Sequence, residues 1–269
     1  MTAPSLVFLG SPPVAADVLR ALVTAGHDIR LVITAPDRRR GRGSSTSPTA
    51  VGAAAHELGL AVSHTVADAA DCGAELGVIV AFGRIIRAEV LNRLAMVNIH
   101  FSLLPRWRGA APVERAVLAG DPVTGVCLMQ VVPELDAGAV YSSATLELDE
   151  LDAPTATRQL GELGTALLLD ALAHGFPEPV PQAGEVVYAD KITPDDLRID
   201  WSSSADTQMR VVRTGAAWTT WRGERIRILE ADIVDGRLRP VVVQPAGRQR
   251  MNADDWFRGV RPESGDWFA

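Results

Sequence analysis

The sequence predicts an α/β fold, with an open, mostly parallel sheet covered by helices on both faces and a small β-rich domain after it. Two observations carry this prediction. The first third of the chain alternates short apolar runs with stretches of helical periodicity, which is typical of parallel strands buried on both faces. Beyond a proline cluster at Pro177, Pro179 and Pro181, short apolar runs are separated by turn residues. With 269 residues, 47% of them hydrophobic, the chain is long enough to bury such a core.

The first elements follow one another in a βα order. Strands are predicted over 5–9, 28–34, 76–81 and 96–99, and helices over 15–25, 49–58 and 87–94. The first strand leads into Gly10-Ser11-Pro12-Pro13 and not into a G-x-G-x-x-G turn. This Rossmann-like sheet therefore lacks the dinucleotide fingerprint, which argues against a nicotinamide cofactor.

The remaining elements suggest where the domains divide. A helix is predicted over 112–119, extended segments over 124–132 and 139–148, and a long helix over 155–174, with short strands at 226–229, 233–234 and 241–244. We therefore expect a catalytic domain over 1–180, an interdomain segment over 181–205 and a small β-rich domain over 206–269.

The charge is unevenly distributed along the chain. The net charge is −7, yet residues 210–262 hold eleven arginines against six acidic residues, and a second basic cluster comprises Arg38, Arg39, Arg40 and Arg42. Lys191 is the only lysine among the 26 basic residues. Such asymmetry permits contact with nucleic acid in spite of an acidic total.

Several classes of protein are disfavoured by composition. The apolar runs are far shorter than the ~20 residues that a bilayer requires, and the N-terminus lacks the basic region of a signal peptide. Two cysteines, Cys72 and Cys127, form neither a disulfide framework nor a metal cluster. We expect a soluble, cytoplasmic enzyme without a metal.

One stretch carries candidate chemistry. Strand alternation puts Asn98, His100 and Ser102 on one side of the chain, at the carboxyl end of a strand, where open α/β sheets bind ligands. Asp136 follows on a turn that can fold back over the same crevice. An amide, an imidazole and a carboxylate suit acyl transfer to an amine: Asn98 and His100 can stabilise an oxyanion, and Asp136 can orient His100 or accept a proton. A buried structural histidine is the alternative reading of the same pattern.

Ordered motifs along the whole chain resemble the folate-dependent formyltransferases. They are Asn98-x-His100-x-Ser102-Leu103-Leu104-Pro105, Arg108-Gly109-Ala110-Ala111-Pro112, Leu135-Asp136-x-Gly138, Ala81-Phe82-Gly83-Arg84-Ile85-Ile86, Tyr188-Ala189-Asp190-Lys191-Ile192 and Val243-Gln244-Pro245-x-Gly247. The resemblance implies formyl transfer from 10-formyltetrahydrofolate to a primary amine, foremost that of methionyl-initiator tRNA. It also implies a shortened, OB-like C-terminal domain, and we expect a monomer.

The resemblance also implies roles for individual residues. The catalytic set is Asn98, His100 and Asp136. The folate would lie against Phe82, Gly83, Arg84, Ile85, Ile86, Pro133, Glu134 and Leu135. The acceptor would contact Arg38, Arg39, Arg40, Arg42, Ser102 and Lys191.

Other readings keep part of this picture. An amino sugar nucleotide or another small-molecule amine can replace tRNA as the acceptor, because Ser44 and Ser45 stand where tRNA-acting members usually carry lysines and because the C-terminal domain is short. A formyltetrahydrofolate hydrolase would use water instead of the amine. A non-catalytic RNA- or folate-binding relative would need no Asn98, His100 and Asp136 set.

Overall fold

A computed structural model describes residues 3–39, 46–263, 266 and 268, which form two compact units. The first unit takes in the chain up to Pro112, Thr124–Glu147 and Thr157–Ala189, and the second takes in Val113–Val123, Leu148–Ala156 and the chain from Asp190 onward. The division at residues 180 and 205 expected from the sequence remains a prediction.

The first unit is built on a seven-stranded sheet. The strands of the large sheet are β1 (Leu6–Gly10), β2 (Ile29–Ile33), β5 (Val62–Ser63), β6 (Leu76–Val80), β7 (Met96–His100), β9 (Val123–Gln130) and β10 (Val140–Glu147). Two short pairs add β3 (Arg38–Arg39), β4 (Thr46–Ser47), β8 (Arg108–Gly109) and β11 (Tyr188–Ala189). The sheet order is β10-β9-β7-β6-β1-β2-β5, while β3 pairs with β4 and β8 with β11. Five neighbouring strands of this sheet run parallel to one another: β5, β2, β1, β6 and β7. Strand β9 is antiparallel to β7, and together these pairings confirm the mostly parallel α/β sheet.

The sheet order identifies the crevice that can hold a ligand. From β1 the chain runs outward through β2 to β5, then returns to the other side of β1 at β6 and continues to β7. The strand order thus reverses between β1 and β6, and ligands bind outside the carboxyl ends of strands at such a reversal. These ends are Gly10 and Val80, with His100 at the end of the next strand.

Helices lie between the strands, as the periodicity predicts. They are α1 (Pro13–Thr24), α2 (Ala50–Glu57), α3 (Ala88–Leu91), α4 (Pro112–Ala119) and α5 (Ala153–His174). The helix expected over 87–94 is only one turn long, because the Arg93 amide bonds to the Val90 carbonyl three residues back and closes the helix with a tight turn. No helix in the described ranges is long and apolar enough to cross a membrane.

The second unit contains a four-stranded antiparallel sheet with two helices. Its elements are α6 (Ala205–Arg213), β12 (Trp218–Trp221), β13 (Glu224–Val234), β14 (Arg237–Pro245), β15 (Met251–Asn252) and α7 (Ala253–Val260), with sheet order β12-β13-β14-β15. The prediction of separate strands at 226–229 and 233–234 is wrong, because β13 is one strand whose register shifts on either side of Glu230. The small β-rich domain itself is confirmed.

Candidate active site

The predicted catalytic strand is β7, and it ends at the crevice. Asn98 is half-buried, and its side-chain amide makes no hydrogen bond to any residue that the structure describes. His100, two residues further along, is only 5% exposed. The strand therefore offers an amide that none of the described residues occupies and an enclosed imidazole.

Each nitrogen of the His100 ring faces a different oxygen. Nε2 lies 2.9 Å from the Trp107 carbonyl, and Nδ1 lies 3.6 Å from Oδ2 of Asp136. A carbonyl can only accept a hydrogen bond, so Nε2 carries a hydrogen and donates it. Nδ1 is then the ring nitrogen that can exchange a proton with the carboxylate.

Asp136 is held in place by its own turn. Its backbone is in the left-handed region, with φ of 46°, and its Oδ2 accepts a hydrogen bond of 2.8 Å from the Gly109 amide. Gly109 itself has φ of 121°, and a Cβ there would lie 2.8 Å from the Ala189 carbonyl oxygen, so only glycine brings this amide to the carboxylate without strain. The structure thus brings His100 and Asp136 together, 36 residues apart in the chain.

Two residues without an assigned role in the sequence analysis hold this turn. Gln182 donates through Nε2 to the carbonyls of Asp136 and Gly138, at 2.8 Å each, and accepts through Oε1 from the guanidinium of Arg108. Arg108 is buried and reaches Glu134 at 3.4 Å. The signal available in the sequence for Arg108 was its place in the motif over 108–112, whereas Gln182 lies beside a proline cluster that is typical of a linker.

Ser102 lies in the loop that follows β7. It is fully buried, and its hydroxyl donates to the Arg106 carbonyl at 2.6 Å. This bond secures the loop whose Trp107 carbonyl meets His100. The side chain thus stabilises this loop, and its expected role in binding the acceptor stays a prediction.

The segments expected to bind folate are partly buried and partly open. Phe82 and Ile86 are buried in the core of the first unit, whereas Ile85 is 80% exposed and Leu135 is 54% exposed. Arg84 donates to the His64 carbonyl at 2.8 Å and lies over the Phe82 ring. Gly83 has a positive φ, and Pro133 and Glu134 are exposed at the start of the Asp136 turn. Apolar side chains and exposed backbone at the ends of β6 and the turn suit a flat, polar heterocycle.

The expected acceptor-binding residues are only partly described by the structure. Arg40 and Arg42 lie outside the described residues, and Arg38 and Arg39 form β3, paired with β4, with side chains that are not described. Lys191 is exposed and belongs to the second unit, where its carbonyl accepts a bond from Arg115. Their acceptor-binding roles stay predictions.

Cys127 lies opposite His100 in the register of β7 and β9. Burial raises the pKa of this thiol above its ordinary value, despite an opposing hydrogen bond with Leu104. A thiol that stays protonated is a poor nucleophile. The arrangement therefore fits a reaction in which the nucleophile is supplied by the substrate.

Comparisons with known proteins agree with this geometry. Residues 5–172 match the formyl transferase family, and residues 191–239 match the formyl transferase C-terminal domain. The methionyl-tRNA formyltransferase of Ruegeria pomeroyi is 39% identical, covering 94% of this chain and 96% of that protein. The alignment runs over 292 positions, more than the 269 residues of this chain, so the relative has residues that this chain lacks.

Solved structures share the fold at lower identity. A methionyl-tRNA formyltransferase from Clostridium thermocellum superimposes with a TM-score of 0.66 at 13% identity, covering 89% of this chain and 97% of that one. An N-formyltransferase from Helicobacter canadensis, solved with folinic acid and dTDP-3-aminofucose, has a TM-score of 0.65 at 16% identity and covers 86% and 88% of the two chains. With a buried His–Asp pair at the carboxyl edge of its sheet and family matches over most of its length, the chain belongs to the formyl transferase family.

Proposed function

We propose that this protein transfers a formyl group from 10-formyltetrahydrofolate to the amino group of methionyl-initiator tRNA. The observation that carries the proposal is the His100 ring, held between Asp136 and the Trp107 carbonyl. It lies on the same strand as Asn98, whose amide has no hydrogen-bond partner within the described ranges. This set can stabilise a tetrahedral oxyanion and take a proton, which are the two needs of acyl transfer to an amine.

The transfer has two steps. The amine nitrogen attacks the formyl carbon and forms a C–N bond while the carbonyl electrons move to oxygen, where the Asn98 amide and the His100 N–H donate hydrogen bonds. The amine then loses a proton to the His100–Asp136 pair. The bond from carbon to folate N10 breaks as the carbonyl reforms, and N10 takes up a proton to leave tetrahydrofolate and the formamide.

The formyl donor would lie beside the two exposed apolar side chains, Ile85 and Leu135. Phe82 and Ile86 support this segment from the core, and the Asp136 turn offers backbone groups for the pteridine edge. These residues fit a folate, because its ring needs an apolar wall and a few polar backbone partners.

The acceptor is argued from identity and charge. Relatives named methionyl-tRNA formyltransferase are 39% and 42% identical over 94% and 86% of this chain. Residues 210–262, which carry a local charge of +5 by eleven arginines against six acids, lie in the second unit. A basic surface of this kind attracts the phosphates of a nucleic acid.

Product analysis tests the proposal. The protein is incubated with 10-formyltetrahydrofolate and either methionyl-initiator tRNA or a dTDP-linked amino sugar, and formylated product is identified by mass. We expect formylmethionine. Formylation of the sugar alone would refute the acceptor, and no product in either arm, where the Ruegeria pomeroyi enzyme is active on its tRNA, would refute the reaction.

A matched pair of variants links the reaction to the site. His100→Gln is expected to lower kcat strongly, because the pair with Asp136 is lost. His174→Gln is the control, since His174 also pairs with an aspartate, Asp170, at 2.9 Å, but on an exposed helix end. Equal loss of activity in both variants would contradict the assignment of His100.

A further inference from the structure

Every hydrogen-bonding position of the Gln182 side chain is used. Both hydrogens of Nε2 are donated, one to the Asp136 carbonyl and one to the Gly138 carbonyl, each at 2.8 Å. Oε1 accepts from Arg108 Nε at 3.0 Å and from Arg108 Nη2 at 2.8 Å. Two donors and two acceptor sites are all that a primary amide has. The side chain therefore acts as a bridge with defined ends.

The chemistry of the partners fixes which end is which. A guanidinium only donates and a carbonyl only accepts, so reversing the amide would put like groups against each other at all four contacts. Arg108 is itself buried, and its next residue, Gly109, donates to the Asp136 carboxylate. Residues 108–109 and Gln182 thus hold Asp136 from two sides, one through the carboxylate and one through the backbone.

The backbone of the turn needs such support. Asp136 has φ of 46°, a conformation that costs energy for a residue with a side chain and persists only where contacts hold it. At Gly138 a Cβ would overlap the Gln130 carbonyl, so the end of the turn is pressed against the end of β9. The two carbonyls that Gln182 binds are those on either side of this close approach.

We propose that Gln182 is a positioning residue: Arg108 anchors its oxygen, and its amide nitrogen fixes two carbonyls of the Asp136 turn and so sets the carboxylate against His100. The role rests on the proposed function, because it matters only if Asp136 acts in the reaction. Gln182 touches neither His100 nor the carboxylate oxygens, so its effect passes through the backbone of the turn. Displacing a catalytic group by about 1 Å can lower a rate by about 100-fold.

The test separates the two ends of the bridge. In Gln182→Glu the carboxylate still accepts from Arg108 but cannot donate to the two carbonyls, and its negative oxygen faces them. We expect kcat to fall about 10- to 100-fold while KM for the acceptor changes little. The Gly109 amide, which is bonded to the Asp136 carboxylate, is expected to exchange with solvent about tenfold faster or more by NMR. Gln182→Met keeps the length of the side chain and loses both its donor and its acceptor atoms. We expect the same changes in kcat and in Gly109 exchange, and this variant replaces the first one if that one fails to fold.

Ala183→Glu is the control, because it adds the same carboxylate at the next, exposed position. We expect it to keep the wild-type kcat and Gly109 exchange. Unchanged exchange at Gly109 in both Gln182 variants would overturn the positioning role, whatever happens to the rate. A wild-type protein that transfers no formyl group would instead refute the proposed function, and the exchange of Gly109 would still decide whether Gln182 holds Asp136.

Discussion

Replacing Asp136 by asparagine removes one charge and little else. The Oδ2 atom of Asp136 both accepts from the Gly109 amide, at 2.8 Å, and faces His100 Nδ1, at 3.6 Å. An asparagine carbonyl oxygen in the same place still accepts from Gly109. The variant is therefore expected to keep the turn and to lose the negative charge beside the imidazole.

The size of the effect follows from the distance between these atoms. In the proposed reaction His100 becomes positively charged as it takes the proton of the amine. A unit charge 3.6 Å from a carboxylate gains about 4 to 5 kcal/mol at an effective dielectric constant of about 20. Since about 1.4 kcal/mol corresponds to a factor of ten in rate, Asp136→Asn is expected to lower kcat by roughly 1,000-fold.

The assay is single-turnover formylation at saturating donor and acceptor, with the melting temperature measured alongside. Glu147→Gln is the control, because it removes the same charge from an exposed position of the same unit. A loss of less than about tenfold in Asp136→Asn would contradict the electrostatic role. A melting temperature far below that of the wild type would mean that the carboxylate stabilises the turn and that its charge is not needed to stabilise the protonated His100.

Three further predictions concern single side chains. Asn98→Ala is expected to lower kcat by about 100-fold at an unchanged melting temperature, because no described residue loses a hydrogen bond; a wild-type rate would contradict the role. The Arg115 guanidinium, followed by bonds from a nearby threonine, lowers the pKa of Asp196 from 3.8 to about 2. Because the pKa of Asp196 is lowered in the folded state, its ionised form stabilises the fold at pH values above about 3.8, and this stabilisation is lost as the pH falls through about 2. Asp196→Asn should therefore lower the free energy of unfolding, measured with denaturant, by about 1 kcal/mol at pH 7 and by only a small part of that at pH 2. Native alkylation followed by mass spectrometry should modify the half-buried Cys72 before the buried Cys127, whose pKa is raised by burial; the opposite order would contradict this.

The sequence predicted the local elements better than the contacts that hold the candidate site. Apolar periodicity and the bounding glycines suffice for β1, β6, β7 and α4, because these depend on nearest neighbours along the chain. The same apolar pattern divided β13 into two predicted strands, because the polar residues around its bulge resemble a turn.

The bridge made by Gln182 could not be predicted in this way. Its partners lie 44, 46 and 74 residues away, and its own segment is rich in proline. A glutamine between prolines has the composition of a solvated linker, and only the return of the chain to the sheet puts it beside Arg108. Long-range hydrogen bonds of this kind leave no periodic trace in a sequence.

The two oxyanion donors of the proposed site differ in a way that kinetics can separate. The His100 Nε2–H already donates to the neutral Trp107 carbonyl, at 2.9 Å. A hydrogen bond to a charged oxygen is about twice as strong as one to a neutral oxygen, so this hydrogen is drawn from Trp107 only as the oxyanion forms. Asn98 has no competing partner among the described residues and can bind the formyl oxygen before reaction as well. Losing an interaction that is made only in the transition state lowers kcat, whereas losing one that is also made in the ground state raises KM. Asn98→Ala should therefore raise KM for the formyl donor in addition to lowering kcat, and His100→Gln should lower kcat alone. A raised KM in His100→Gln with an unchanged KM in Asn98→Ala would show that His100 binds the donor in the ground state.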